Sequence, residues 1–425
     1  MKRLHYGWIM VASAAGILAA HALTFYSFGI FMRPITGQFG WDRGALSAAV
    51  SIGMVVAGPL SIYAGRLSDR YGPRLLVTGS GILTGAAFIM MSQVSELWQV
   101  YLVYGVAVAL GGSGSVIPIT STIPRWFVRR RGIATSLTWT GIGVGGVVTP
   151  VLAQWLISSY DWRTAYVVLG VINMVVVTTL AQALKRDPQQ MGIEPYGVEA
   201  ATDPVKATAA NADVAAGTAS GLSLREAIRT RQFWLFAVVM LGFVATMQVL
   251  MTHLAPHAVD VGMTAAVAAS FVSVFAATSL VGRNLAGLAA DRIGAGWTIT
   301  IHLTATVVAL GWLLFASEAW SLYAFAAFYG IAYGGIVPMQ TVLAGELFGL
   351  RSLGIITATL MLSGSLGGAI GPPLAGAIFD NSGSYLWAFR ICLILLVLAI
   401  ICSVALRHPG GNRQGALLTS DEPVP

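Results

Sequence analysis

The sequence predicts an all-α membrane protein with twelve transmembrane helices arranged as two six-helix halves. Hydrophobic residues make up 56% of the 425 residues, charged residues only 10%, and the mean hydropathy is +0.77. This balance excludes a water-soluble domain of such length. Apolar runs of about 20 residues are long enough to cross a bilayer, and an internal repeat divides them into two sets. In chain order they fall near 7–31, 44–65, 74–93, 98–123, 132–157, 163–184, 232–255, 265–288, 297–316, 319–343, 353–378 and 385–406.

The repeat is visible in loops and spans alike. The pattern G-x-x-x-D-R after span 2 returns after span 8 at an offset of 222 residues, from Gly65 to Gly287. Span 5 returns in span 11 at the same offset, so that Gly145 matches Gly367. Parallel halves of this kind place a binding site between them near the membrane midplane. We expect the residues of the loop pattern to stabilise one state through contacts between the halves; they are Gly65, Asp69, Arg70, Arg74, Asp291 and Arg292.

The same pattern gives the domain boundaries. Residues 1–184 form the first bundle and residues 232–406 the second. Residues 185–231 are rich in Ala, Thr, Asp and Gly, which is typical of a cytoplasmic linker. Ser223 with Glu226 three residues later predicts a capped short helix before span 7. Residues 407–425 form a polar tail.

The basic residues are distributed unevenly across the predicted membrane. If both termini are cytoplasmic, nearly all of the 24 Lys and Arg residues lie on the inner side, and only Arg33, Arg43, Arg163 and Arg390 lie outside. This bias is the positive-inside rule. It predicts an inner-membrane protein with cytoplasmic termini, and it accounts for the net charge of +7 without a nucleic-acid partner.

Nothing in the sequence predicts cofactor chemistry. Cys392 and Cys402 fall on one predicted helix without metal-ligand spacing. The glycine-rich runs in the spans lack the strand and the Lys-Ser/Thr of a nucleotide loop and fit helix packing better. We therefore expect no metal, no cofactor and no enzyme activity.

Arg283 is the only basic residue that we assign to the interior of a span and not to its inner or outer side. A charge within a bilayer costs about 2.5 to 3.5 kcal/mol and usually marks a substrate or ion path. The alternative is a guanidinium that reaches the headgroups, over roughly 12 Å of helix to Asp291. None of the 17 Asp and Glu residues falls in mid-span. Arg283 therefore has no evident buried counter-ion, and a small anion from solution can pair with it. A monocarboxylate is favoured, because a carboxylate accepts two parallel hydrogen bonds from a guanidinium.

Other polar residues are candidates for the same cavity. Ser279 lies one turn before Arg283, and Gln248 and Tyr333 lie in spans 7 and 10. His21 in span 1 is either a hydrogen-bonded packing residue or a cavity residue that takes part in proton coupling.

Span 7 contains a possible proton pathway. His253 and Asp260 are seven residues apart and share a face if Pro256 leaves the helix unbroken. His253 is either a packed, hydrogen-bonded histidine or a substrate and proton ligand, and Asp260 is a candidate outer proton collector.

Four segments resemble the monocarboxylate transporter family and its bacterial relatives, including the oxalate:formate antiporter branch. They are residues 6–8 (Y-G-W), 126–134 (W-F-V-R-R-R-G-I-A), 253–262 (H-L-A-P-H-A-V-D-V-G) and 283–291 (R-N-L-A-G-L-A-A-D), and the resemblance extends over nearly all of 5–406. It implies the major facilitator fold and a proton-linked carrier of lactate-like acids that works by alternating access.

The departures from the family pattern concern coupling and substrate. Tyr26 stands where the family's first-span lysine would align and is expected to face the cavity, and Ser279 stands where animal members have an aspartate. The proton residue is therefore open between His253, Asp260 and His21. The oxalate carrier's eleventh-span lysine is absent, which disfavours dicarboxylates.

Rival functions also follow from the sequence. They are an exporter of drugs or other small metabolites, a carboxylate exchanger without proton coupling, and, ranked last, a membrane sensor that does not transport. The expected partners are a small monocarboxylate, a proton and the lipid bilayer.

Overall fold

A computed structural model describes residues 5–127, 130–197, 221–349 and 351–406, without the side chains of residues 61, 62, 65, 66, 69, 131 and 132. Helices are the only extended regular structure within these ranges, and twelve of them are long and apolar enough to cross a membrane. The predicted fold is confirmed. The spans are Tyr6–Phe39, Arg43–Tyr71, Pro73–Met91, Leu97–Trp126, Arg131–Ser159, Trp162–Ala181, Arg231–Asp260, Ala265–Ile293, Ala295–Leu313, Ala319–Phe348, Leu353–Ser382 and Leu386–Ala405.

Three spans change helix geometry within the bilayer, which the apolar runs did not predict. Span 1 is α-helical over Tyr6–Tyr26 and Phe28–Phe39, and Ser27 between them bonds its hydroxyl to the Leu23 carbonyl at 2.6 Å. Back-bonding of this kind bends helices. Span 4 contains a π-helix at Tyr101–Val108, and span 10 is divided at Gly335. Pro256, by contrast, leaves span 7 helical from Arg231 to Asp260.

The two halves use the same helix pairs. Span 1 packs on span 5, span 2 on span 4 and span 3 on span 6, and spans 7 to 12 repeat these pairs in the second half. In both halves a glycine permits the closest approach: an added Cβ would collide with the Ala19 carbonyl at Gly145 and with the Leu241 carbonyl at Gly367. The halves meet along spans 2 and 11 and along spans 5 and 8.

The described parts of the predicted linker pack on the bundle. The Tyr196 amide donates to the Trp126 carbonyl at 2.9 Å in the first half, and the Leu222 amide donates to the Phe348 carbonyl at 2.8 Å in the second. Ser223 and Glu226 form the expected capping box, and the hydrogen bonds from Ser223 lower the pKa of Glu226. The middle of the linker and the tail lie outside the described residues.

Candidate functional site

Arg283 lies where the two halves meet. It is half-buried on span 8, and its Nη1 atom donates to the Trp139 carbonyl of span 5 at 3.5 Å. No Asp or Glu side chain in the described part of the chain pairs with it. Its one hydrogen bond is long, so most of its donors are available to a ligand.

Two tyrosines lie near this guanidinium. Tyr26 of span 1 and Tyr333 of span 10 both lie within electrostatic range of Arg283 and of each other. The Tyr26 ring lies over Gly146, where a Cβ would stand 2.9 Å from it. The structure thus brings together three of the predicted residues, from spans 1, 8 and 10.

An aromatic wall supports Tyr333. The Phe243 ring stacks on it with centroids 5.8 Å apart, and the Phe275 ring lies 5.1 Å away. Ser279 is fully buried one turn before Arg283, and its hydroxyl donates to the Ala276 carbonyl at 2.7 Å. Its oxygen is therefore already engaged within its own helix.

Gln248 and His21 line a different space. They face a cavity of about 230 Å³ between spans 1, 2 and 4 of the first half and span 7 of the second. No charged side chain lines it, and its walls include Phe25 and Tyr104. Tyr26 is about 140° around span 1 from His21, so the two residues face different directions.

A second cavity offers no chemistry for an anion. It has a volume of about 290 Å³ between spans 7, 11 and 12, and Leu, Ile, Val, Ala, Gly and Cys392 line it. An apolar groove of this kind cannot compensate a carboxylate.

His253 and Asp260 lie at one end of the bundle, named here the far end. The far end contains loops 40–42, 261–264 and 383–385, and it is opposite the end that contains residues 5 and 406. His253 is fully buried, with Nδ1 3.0 Å from the Tyr385 hydroxyl and Nε2 2.9 Å from the Pro372 carbonyl. It is the packed, hydrogen-bonded histidine of the two alternatives in this conformation. Its substrate and proton roles, and that of Asp260, stay predictions.

The residues of the repeated loop pattern lie at the opposite end. Arg70 is exposed with its guanidinium 5.2 Å from the Tyr71 ring centroid, and Arg74 donates to Gln182 of its own half at 2.8 Å. Asp291 and Arg292 are exposed. The surroundings of Gly65 and the side chain of Asp69 lie outside the described parts of the structure. Contacts between the halves through this pattern stay a prediction.

Two residues that contact the predicted site residues could not be recognised from the sequence. Trp139 acts through its backbone carbonyl, which any residue possesses, and Tyr385 lies in a loop. Only the fold brings them to their partners.

The fold and the site define a multi-pass membrane protein with a cationic site between two six-helix halves. The chain belongs to the Major Facilitator Superfamily, whose family model matches residues 14–287 and 249–420, and it is monocarboxylate-transporter-like within it. Monocarboxylate transporter 13 of Bos taurus is 28% identical over 408 residues, covering 95% of this chain and 90% of that protein. Monocarboxylate transporter 11 of Homo sapiens is 29% identical over 404 residues, covering 91% and 80%.

Other similar proteins have less specific names or lower sequence identity. The MFS transporter asaE of Aspergillus flavus is 28% identical over 339 residues, covering 78% of this chain and 69% of that protein. A solved bacterial homologue of the human lysosomal transporter Spinster, inward-facing and occupied, shares 16% identity with a TM-score of 0.71, covering 95% of this chain and 97% of that one. The nucleoside transporter NupG shares 11% identity with a TM-score of 0.70, covering 94% and 100%. The structural matches support the fold, and the family identifies a membrane transporter of small molecules.

Proposed function

We propose that this protein is a secondary active transporter of a small monocarboxylate such as lactate or pyruvate, coupled to protons and working by alternating access. The observation that carries the proposal is Arg283, half-buried between the halves without a carboxylate partner among the described residues. The similarity to proteins named monocarboxylate transporters supports the same substrate class.

The proposed binding mode follows from the donors around Arg283. The substrate carboxylate accepts two hydrogen bonds from the guanidinium, and Tyr26 and Tyr333 donate from their hydroxyls. One carboxylate neutralises the single cation. A second carboxylate would find no second cation in this cluster, so dicarboxylates bind worse.

Orientation is part of the proposal. The protein lies in the inner membrane with both termini cytoplasmic, so the far end faces outward and the opposite end faces the cytoplasm. In this orientation the contacts between the halves at the far end close the outward side.

The test is uptake of radiolabelled lactate and pyruvate into proteoliposomes, with and without an inward proton gradient. We expect Arg283→Ala to reduce uptake at least a hundredfold, because the ligand loses a charge-assisted pair worth about 3 kcal/mol. Arg390→Gln is the matched control, since that exposed arginine contacts Trp387 of its own half. Uptake that survives Arg283→Ala would contradict carboxylate binding and favour an exporter of apolar metabolites.

The proton part is tested separately. We expect uptake to rise with the inward proton gradient; flux that ignores the gradient would leave a carboxylate exchanger. Among the candidate proton residues, His253→Gln should abolish the pH dependence while exchange persists. An unchanged pH dependence in that variant would exclude His253 as the proton-coupling residue and leave Asp260 and His21 as the candidates.

A further inference from the structure

Arg43 is the first residue of span 2, at the far end, and it reaches across to the second half. Its Nη1 and Nη2 atoms donate to the two Asp260 oxygens of span 7 at 2.5 and 3.0 Å. Nη1 also donates to the Tyr385 hydroxyl at 2.9 Å, and the guanidinium lies 3.9 Å from the Phe379 ring centroid. The Arg43 side chain is 12% exposed and that of Asp260 is 19% exposed. This pair is two-pronged and its side chains are partly buried, unlike the surface ion pairs that contribute little.

The backbone at the start of span 2 is also bound by the second half. Asp380 of span 11 accepts from the Arg43 amide at 3.0 Å and from the Gly44 amide at 2.8 Å. Asp42, the residue in the N-cap position, makes no side-chain cap bond. A carboxylate at a helix N-terminus satisfies free amides and complements the helix dipole. Here the cap comes from the other half of the protein.

The matching position in the second half is built differently. Span 8 is capped by its own Thr264, whose hydroxyl accepts from the Val267 amide. The cap of span 8 therefore does not depend on how the halves are placed, whereas the cap of span 2 does.

Tyr385 extends the contact inward. Burial raises its pKa, so the hydroxyl stays protonated and can accept from Arg43 while donating to His253 Nδ1. The Pro372 carbonyl can only accept, which assigns the His253 proton to Nε2. The bonds of Arg43 to Asp260 and Tyr385, and those of Asp380 to the Arg43 and Gly44 amides, join the two halves. Separation of the halves would leave these polar groups without their partners.

We propose that Arg43 with Asp260, Asp380 and Tyr385 forms the gate that closes the far end, named here the far-end gate, and that its release opens the site to that side. The proposal rests on the proposed transport by alternating access. Arg33 of span 1 is a second, more exposed cation at this carboxylate. Its Nη2 atom lies 3.6 Å from Asp260 Oδ1, the oxygen that also accepts from Arg43 Nη2. Because the closed state makes these contacts and the open state cannot, removing one of them shifts the equilibrium toward opening.

The experiment measures distance across the far end by pulsed electron paramagnetic resonance. Spin labels are placed at Gly37→Cys in span 1, where a Cβ meets nothing within 4 Å, and at the exposed Ala266→Cys in span 8. Both native cysteines are first replaced by Ser. Asp260→Asn and Arg43→Gln are compared with controls at the same end, Asp161→Asn and Arg390→Gln, whose partners Thr164 and Trp387 lie in their own halves.

We expect Asp260→Asn and Arg43→Gln each to raise the ratio of long to short distances roughly tenfold, the scale of a partly buried charge pair. The controls should leave the distribution unchanged. The double variant should open less than the sum of the two single effects, because both single variants remove the Arg43–Asp260 contact. Unchanged distributions in both single variants overturn the gate. If Arg43→Gln does not fold, Asp260→Asn, which preserves side-chain size, decides alone.

Failure of the gate and failure of the proposed function give different results. The distance measurement needs no substrate, and Arg283→Ala in the labelled protein should leave the distribution unchanged. Opening in Asp260→Asn supports the gate even if lactate and pyruvate are not transported. Normal lactate uptake with unchanged far-end distances in both gate variants overturns the gate and leaves the substrate standing.

Discussion

Two arginines lie between the halves, and their surroundings are opposite. Arg43 has two hydrogen bonds to Asp260, one to Tyr385 and an aromatic ring beneath it. Arg283 has a single 3.5 Å bond to a backbone carbonyl and no carboxylate among the described residues. Both are partly buried, and both contact the opposite half.

The difference separates a residue whose charge the protein itself pairs from one whose charge we propose that a ligand pairs. A buried charge is costly unless it is paired and hydrogen-bonded. At Arg43 the protein supplies the pair itself, so the cost is met within the closed state. At Arg283 it does not, which leaves a site where an anion from solution gains both charge and hydrogen bonds.

The strongest way to break the comparison is to give Arg283 its own carboxylate. Ser279→Asp places one a single turn away, where residues four apart are neighbours at about 6 Å. The pair would gain about 3 kcal/mol, so substrate affinity at neutral pH should fall roughly a hundredfold. Protonating the introduced carboxyl in acidic buffer should restore part of it. Binding is measured by titration of purified protein with lactate.

Ser279→Asn is the control, because it has the same size without the charge. It should lose much less affinity than Ser279→Asp and show no recovery in acid. Equal losses in the two variants would mean that the buried position tolerates neither side chain, and the electrostatic account of Arg283 would be wrong.

A smaller change tests whether Tyr26 belongs to the Arg283 site. In Gly146→Ala the new Cβ would stand 2.8 Å from Ala276 Cβ and 2.9 Å from the Tyr26 ring. The ring must move, at a cost of about 1 to 3 kcal/mol for overpacking. We expect the Michaelis constant for uptake to rise about tenfold, while the far-end distance distribution stays unchanged. Gly37→Ala, with open space at its Cβ, should change neither.

How much the sequence could predict depends on the range of each interaction. The spans, the repeat and Arg283 follow from local hydropathy and spacing, and the structure confirms the twelve-helix fold. The far-end gate could not be predicted, because Arg43 and Asp260 are 217 residues apart and each is an ordinary charge at a span end. The bend at Ser27 and the π-helix in span 4 depend on backbone hydrogen bonding that hydropathy does not report.

The smallest effect compares the two helix caps at the far end. Asp380→Ala removes the cap that span 2 receives from the other half, and Thr264→Ala removes the cap that span 8 makes for itself. Each loss should lower the free energy of unfolding by about 1 kcal/mol, measured by thermal denaturation in detergent. Only Asp380→Ala should also raise the population of long far-end distances, since its contact exists in the closed state alone. If Thr264→Ala opens the far end as much as Asp380→Ala does, opening depends on general destabilisation. It would then not depend on whether the cap comes from the other half, and the contrast between the two halves would be wrong.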